Sequence, residues 1–177
     1  MLNIFLIYVD LLRNIDHTQE YYSLNFTLPG IEIEQDQKIY IRSCYIEIYE
    51  EVIELVKLEK LPPTFYHYYL ITGIPGIGKT QFIPYFLSRF LNDTEHQSFF
   101  IQTDPKTVYY YDSKGITKMD SVPDHLLHIP LFVDIKYRAE PFDTDYVFIF
   151  NSPDPAYHKQ FGKEGYRLVI NTLALYY

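Results

Sequence analysis

The chain has 177 residues, 47% hydrophobic and 21% charged, which suits one globular domain with a sizeable core and excludes a disordered composition. A formal net charge of −8 argues against broad electrostatic binding to nucleic acid or to an anionic membrane. Cys44 is the sole cysteine, which excludes an internal disulfide and a cysteine-based zinc site and is compatible with a reducing compartment.

Residues 1–38 read as an irregular N-terminal extension, and residues 39–177 as the main domain. The apolar run Met1–Leu12 is too short to span a bilayer and is broken by Asp10. It lacks a basic start and a small-residue cleavage site, so it reads as a buried strand or helix rather than a signal peptide. An intracellular location is the default expectation. A turn is expected at Leu28-Pro29-Gly30, and Ile31-Glu32-Ile33-Glu34 alternates like a short strand. Ile41, Cys44, Tyr45, Ile48, Val52, Leu55 and Val56 recur at spacings of three and four, which predicts an amphipathic helix ended by Leu61-Pro62-Pro63.

The next stretch, Tyr68–Thr80, is YYLITGIPGIGKT. Its Gly73–Thr80 part matches G-x-x-x-x-G-K-[ST], the loop that cradles nucleotide phosphates. Such a match arises by chance at roughly one in a hundred in a chain of this length, so its surroundings decide its meaning. Tyr68, Tyr69, Leu70 and Ile71 suit a buried parallel strand. Phe82, Ile83, Phe86, Leu87, Phe90 and Leu91 follow at helical spacing. The competing reading is a glycine-rich turn without a ligand. On the nucleotide reading, Gly73, Ile74, Pro75, Gly76, Ile77, Gly78, Lys79, Thr80 and Gln81 form the binding loop. The amides of Gly76, Ile77, Gly78 and Lys79 turn toward the phosphates, aided by the helix dipole. Lys79 neutralises the terminal phosphates, and the Thr80 hydroxyl ligates Mg²⁺.

The loop helix is expected to run from about Gly78 to Leu91, kinked by Pro84 and closed by Asn92-Asp93. Ser98–Gln102 and Thr107–Tyr111 read as strands of a hairpin joined by residues 103–106. Asp112–Asp120 reads as a polar loop. Ile129–Asp134 and Tyr146–Phe150 suit two more buried parallel strands, and Leu168–Ile170 a last one. There is no internal repeat.

A phosphate loop usually works with a carboxylate at the end of a neighbouring strand. Asp134, after Ile129-Pro130-Leu131-Phe132-Val133, is the candidate for the metal and for catalysis beside Lys79; Asp10 and Asp104 are rivals in weaker settings. The competing role for Asp134 is a cap after a strand. Many ATPases place Glu directly after this Asp, but here Ile135 and Lys136 follow, and Glu140 is the nearest downstream carboxylate. Arg89, Arg138 and Arg167 are arginine-finger candidates by residue type alone. Asn151 and Ser152 could sense a terminal phosphate or simply start a turn before Pro153.

Four segments in this order, KIYIRSCYIEIYEEVIEL, YYLITGIPGIGKTQFIPYFLSRFL, IPLFVDIK and YVFIFNSPDPAYHKQFGKEG, resemble the P-loop NTPase module of Crinkler-type effectors and the retrotransposon-hot-spot proteins. The resemblance covers roughly residues 38–165. It implies an α/β three-layer P-loop NTPase domain with a mainly parallel central sheet, and a secreted or host-nuclear effector setting. The chain lacks the ubiquitin-like translocation domain and the extra effector domain of many members. It also lacks their helical continuation, so its apolar ending at Tyr177 reads as a truncated C-terminus.

Three functions follow from these features. The first is an ATP- or GTP-hydrolysing protein using Mg²⁺. The second is a hydrolysis-deficient nucleotide-binding switch with a protein partner, favoured by the missing Glu beside Asp134. The third is a small-molecule kinase, disfavoured by the long segment before Gly73 and by the lack of an arginine-rich lid. A DNA-acting effector is supported by the family analogy alone. No N-K-x-D guanine signature is present, so adenine is preferred. No membrane span is expected.

Overall fold

The computed structural model describes residues 8–24, 26–28, 31, 33, 36–58, 67–73, 78–104, 106–134, 144, 146–150 and 171–173. Chain order runs α1 (Tyr8–Arg13), β1 (Tyr21–Ser23), β2 (Lys38–Tyr40), α2 (Ser43–Leu58), β3 (His67–Gly73), α3 (Lys79–Asp93), β4 (Phe99–Asp104), β5 (Thr107–Asp112), β6 (Gly115–Met119), β7 (Leu131–Asp134), β8 (Tyr146–Phe150) and β9 (Asn171–Leu173). A short 3₁₀ turn, Asp124–Leu126, precedes β7. β1 and β2 form a small antiparallel ribbon. The other strands form one mixed seven-stranded sheet in the order β6-β5-β4-β7-β8-β3-β9.

Pairing is parallel from β4 through β7, β8 and β3 to β9, and antiparallel where β4-β5 and β5-β6 add two hairpins at one edge. The expected hairpin between residues 98 and 111 is therefore present, with a register shift between Gln102 and Asp104. The expected loop over Asp112–Asp120 is instead the second hairpin. Asp112 Oδ1 accepts from the amides of Lys114 (2.7 Å) and Gly115 (3.1 Å), and Gly115 takes φ 136°. That side-chain turn reverses the chain, and the polar residues Thr117 and Lys118 lie exposed on an edge strand, where charge is favoured.

Strand alternation sorts the core into two faces. Phe99, Ile101, Tyr111, Phe132, Phe148, Phe150, Tyr69 and Ile71 share one cluster with α1, α2 and α3. Phe100, Val108, Leu131, Val133 and Val147 form the other, with Ile129, Val122 and Leu126 beside them. Among the described residues, the three α-helices thus join one face, and the second is covered by the 3₁₀ turn and its flanks.

The register Tyr69↔Phe148↔Phe132 aligns three rings across β3, β8 and β7, stacked at 5.0 and 4.9 Å. Phe82, Phe86 and Phe90 of α3, one turn apart, meet this ladder and Phe150 at 5.2–6.0 Å, several of them edge-on. The abundance of Tyr and Phe in the composition is in part the substance of this core.

The N-terminal segment is less irregular than its sequence suggests. Val9 and Leu12 of α1 and Tyr22 of β1 belong to the same cluster as α3. Ile31 and Ile33 are buried without forming a strand. The expected turn residues Pro29 and Gly30 and the expected strand residues 168–170 lie outside the described residues.

Candidate functional site

β3, β8 and β7 run parallel, so Gly73 and Asp134 end at the same edge of the sheet. Asp134 is level with Phe150, and Phe150 with Ile71. One strand therefore separates the glycine-loop strand from the acidic strand, a gap of about 10 Å. α3 begins over that gap. Phe132 and Asp134 point to the same face of β7 by alternation, and Phe132 is in the helical cluster, so Asp134 is aimed at the start of α3.

Thr80 completes the link. Its hydroxyl donates to Asp134 Oδ2 at 3.2 Å across 54 residues of sequence. Lys79 is 7% exposed and Asp134 9% exposed. Burial pushes the Lys79 ammonium below its ordinary pKa, and the nearby Asp134 acts in the opposite direction.

Gly78 precedes α3 at φ 89°, a left-handed conformation natural to glycine, and supplies no side-chain cap. No acidic residue lies in the first turn of α3. An ordinary helix start favours an acid or a capping oxygen; this one carries a buried lysine. The positive charge of Lys79 and of the helix start is met here by the Asp134 carboxylate, which accepts from Thr80.

The loop end is held from behind. Tyr45 of α2 is fully buried, its ring 4.8 Å from that of Phe82, and its hydroxyl donates to the Gly78 carbonyl at 2.9 Å. The amide of Phe82 donates to the same carbonyl at 3.0 Å. A Cβ at position 78 would lie 2.7 Å from the Tyr45 hydroxyl, 3.5 Å from Gln81 Oε1 and 3.8 Å from Arg42 Cζ.

Of the sequence-predicted residues, Gly78, Lys79, Thr80, Gln81 and Asp134 come together, and Gly73 ends β3. Ile74, Pro75, Gly76 and Ile77 lie outside the described residues, as do Glu140, Arg138, Arg167, Asn151 and Ser152. Asp10 is exposed on α1, and Asp104 ends β4. Arg89 serves the far half of α3, donating to the Tyr85 hydroxyl (3.2 Å), pairing with Asp93 (3.6 Å) and lying over the Tyr49 ring. Sequence reasoning missed Tyr45, read only as part of an apolar face, and Arg42, just before that helix. Their one signal was a hydroxyl and a guanidinium on the element next to the loop.

Among the described residues no three His, Cys, Asp or Glu side chains cluster as a metal site. Thr80 and Asp134 offer two adjacent oxygens, the small protein contribution that suits Mg²⁺ completed by water and phosphate oxygens. No described helix is long and apolar enough to cross a membrane. No family model matches the chain, and no curated protein or solved structure matches it significantly.

Proposed function

We propose that this chain binds a nucleoside triphosphate, preferentially ATP, with Mg²⁺ at the Gly73–Thr80 loop, and that it is an NTPase module of the Crinkler and retrotransposon-hot-spot type with a three-layer P-loop NTPase domain. The observation that carries the reading is the Thr80–Asp134 hydrogen bond beside a buried Lys79 at an uncapped helix start. The motif supplies residue types; this contact joins its end to a carboxylate from a different strand. The parallel run β4-β7-β8-β3-β9 further supports a P-loop domain, whose ligand belongs at the C-terminal strand ends.

Lys79 would balance charge on the terminal phosphates, and Thr80 and Asp134 would hold the metal. Mg²⁺ held by these residues would supply positive charge to the phosphate groups as a Lewis acid. A switch with little turnover is the second reading, favoured by Ile135 where a water-orienting Glu is usual.

The test is a titration of fluorescent ATP and GTP, with and without Mg²⁺, against wild type and Lys79→Ala, followed by phosphate release. Wild type should bind with Mg²⁺, and Lys79→Ala should lose about 100-fold or more in affinity, as expected for losing charge-assisted contacts to phosphate. Equal binding by the two proteins, or none by either, refutes the reading. Tight binding without release selects the switch.

A further inference from the structure

We propose that His17 is an acid-opened clip holding the turn 14–20 against α3: a second proton on its ring drives the ring off the helix, and the turn comes away with it. Leu12 before this turn and Tyr22 after it are buried in the cluster that contains α3. Between them Asn14, Asp16, Thr18, Gln19 and Glu20 are exposed, and only the half-buried Ile15 and His17 face inward. The start of the turn is fixed separately, by Arg13 Nη2 donating to the His96 carbonyl (2.9 Å) and Asn92 Nδ2 donating to the Arg13 carbonyl (3.0 Å). His17 is thus the polar fastening of the turn itself. Its ring meets that of Tyr85 edge-on at 5.2 Å, and its Nε2 bonds the Ser88 hydroxyl oxygen at 2.8 Å, 71 residues away in sequence. Ser88 is fully buried and donates its own hydrogen to the Leu12 carbonyl. That direction fixes the ring: Nε2 carries the hydrogen, and Nδ1 is bare.

The closed clip has no place for a proton on Nδ1. That atom is buried and has no hydrogen-bond partner. Protonation would leave a buried donor with nothing to bond, on a ring that has become a cation. The charged groups around it, among the described residues, do not relieve this. From α3, the Arg89 guanidinium repels the cation and the Asp93 carboxylate attracts it. Asp93 Oδ2 is already engaged, accepting from the Tyr49 hydroxyl of α2 at 2.8 Å and pairing with Arg89 at 3.6 Å. From the turn, Asp16 also attracts it, but Asp16 Oδ1 accepts from the Thr18 amide and hydroxyl, and Oδ2 from Gln19 Nε2. Burial is the largest influence on the ring and holds its pKa below the ordinary 6.5. An opened ring regains water and the ordinary value, so the open form binds protons more readily than the closed one. The clip is therefore fully closed above pH 6.5 and opens as pH falls below it. Ser88 keeps its bond to Leu12, so opening gives up one hydrogen bond to the helix.

NMR of the full chain at pH 7.5 and pH 5.0 tests this, with wild type and His17→Gln side by side. Gln keeps a donor within reach of Ser88 and does not titrate. Two quantities are followed: proton cross-relaxation between the His17 and Tyr85 rings, and exchange of the Ile15 amide, which bonds the Leu12 carbonyl at 3.3 Å. In wild type the ring contact should be present at pH 7.5 and lost at pH 5.0. Protection of the Ile15 amide, corrected for the intrinsic rate, should fall about tenfold for each pH unit below 6.5 until the folded-state pKa is reached. In His17→Gln that protection should be the same at both pH values. Rings still in contact at pH 5.0 overturn the inference, whether or not His17 has taken up a proton, and this wild-type result decides the matter even if His17→Gln folds poorly. An equal loss of Ile15 protection in His17→Gln also overturns it, because another group then does the opening. So does exchange of the β4 and α3 amides in step with Ile15, which would mean that acid unfolds the whole domain instead of one turn.

Discussion

Gly78 carries two constraints at once. Its φ of 89° costs any other residue about 1–2 kcal/mol, and a Cβ there would press on a buried, ring-packed tyrosine hydroxyl at 2.7 Å. Gly78→Ala should therefore destabilise the protein by about 2 kcal/mol or more and weaken nucleotide binding. Adding Tyr45→Phe removes the colliding hydroxyl, so the double variant should lose less than the sum of the two single ones. Urea unfolding of the four proteins checks this, and strict additivity would remove Tyr45 from the account. Gly78 was legible in the sequence because the motif demands a glycine before Lys79. Its brace was not, since an apolar periodicity registers Tyr45 as a ring and says nothing of where its hydroxyl goes. Asp134 was legible as the polar end of an apolar strand, and alternation with Phe132 explains why it faces α3.

At the scale of elements, α3 connects site to core. Its opening residues make the Thr80–Asp134 contact, and Phe82, Phe86 and Phe90 bind the ring ladder below. Phe86 is fully buried and meets Phe82, Phe90, Phe132, Phe148 and Phe150. Phe86→Ala should cost about 3–5 kcal/mol, a large share of the stability of a domain this size, measured as a lower urea midpoint. A change below about 1 kcal/mol would show that the ladder is not the core's centre. Long periodic elements such as α2 and α3 were readable from spacing within about two residues of their bounds. β6 was not, because an exposed edge strand with two polar central residues has no alternation to detect, and only the Asp112 turn and Gly115 betray it.

Across the whole molecule, two half-buried histidines, His17 and His96, tie stability to pH. The Ser88 hydroxyl donates to the Leu12 carbonyl, so His17 Nε2 must donate to Ser88 Oγ at 2.8 Å. The other nitrogen, Nδ1, is then the unprotonated one, and it is buried without a hydrogen-bond partner. Burial lowers the His17 pKa, Arg89 lowers it further, and Asp93 and Asp16 oppose them. His96 is lowered by burial and by His128. Lowered folded-state values mean that the unfolded chain binds more protons. The stabilisation is complete above the ordinary value of 6.5 and is lost as pH falls through the folded-state values. Between pH 7.5 and pH 5.5 the urea midpoint should fall, and replacing both histidines with Gln should flatten that slope; a midpoint unchanged at pH 5.5 would contradict it.

The strand that leads into the glycine loop has its two neighbours in β8 and β9, about 80 to 100 residues later in the chain. During synthesis on the ribosome, β3 thus emerges long before either partner exists, and both its hydrogen-bonding edges wait open. Pairings of such separation close slowly. The sheet on both sides of β3 cannot be finished until residue 173 has left the exit tunnel, which makes the nascent chain the stage most exposed to misassembly and to chaperone capture.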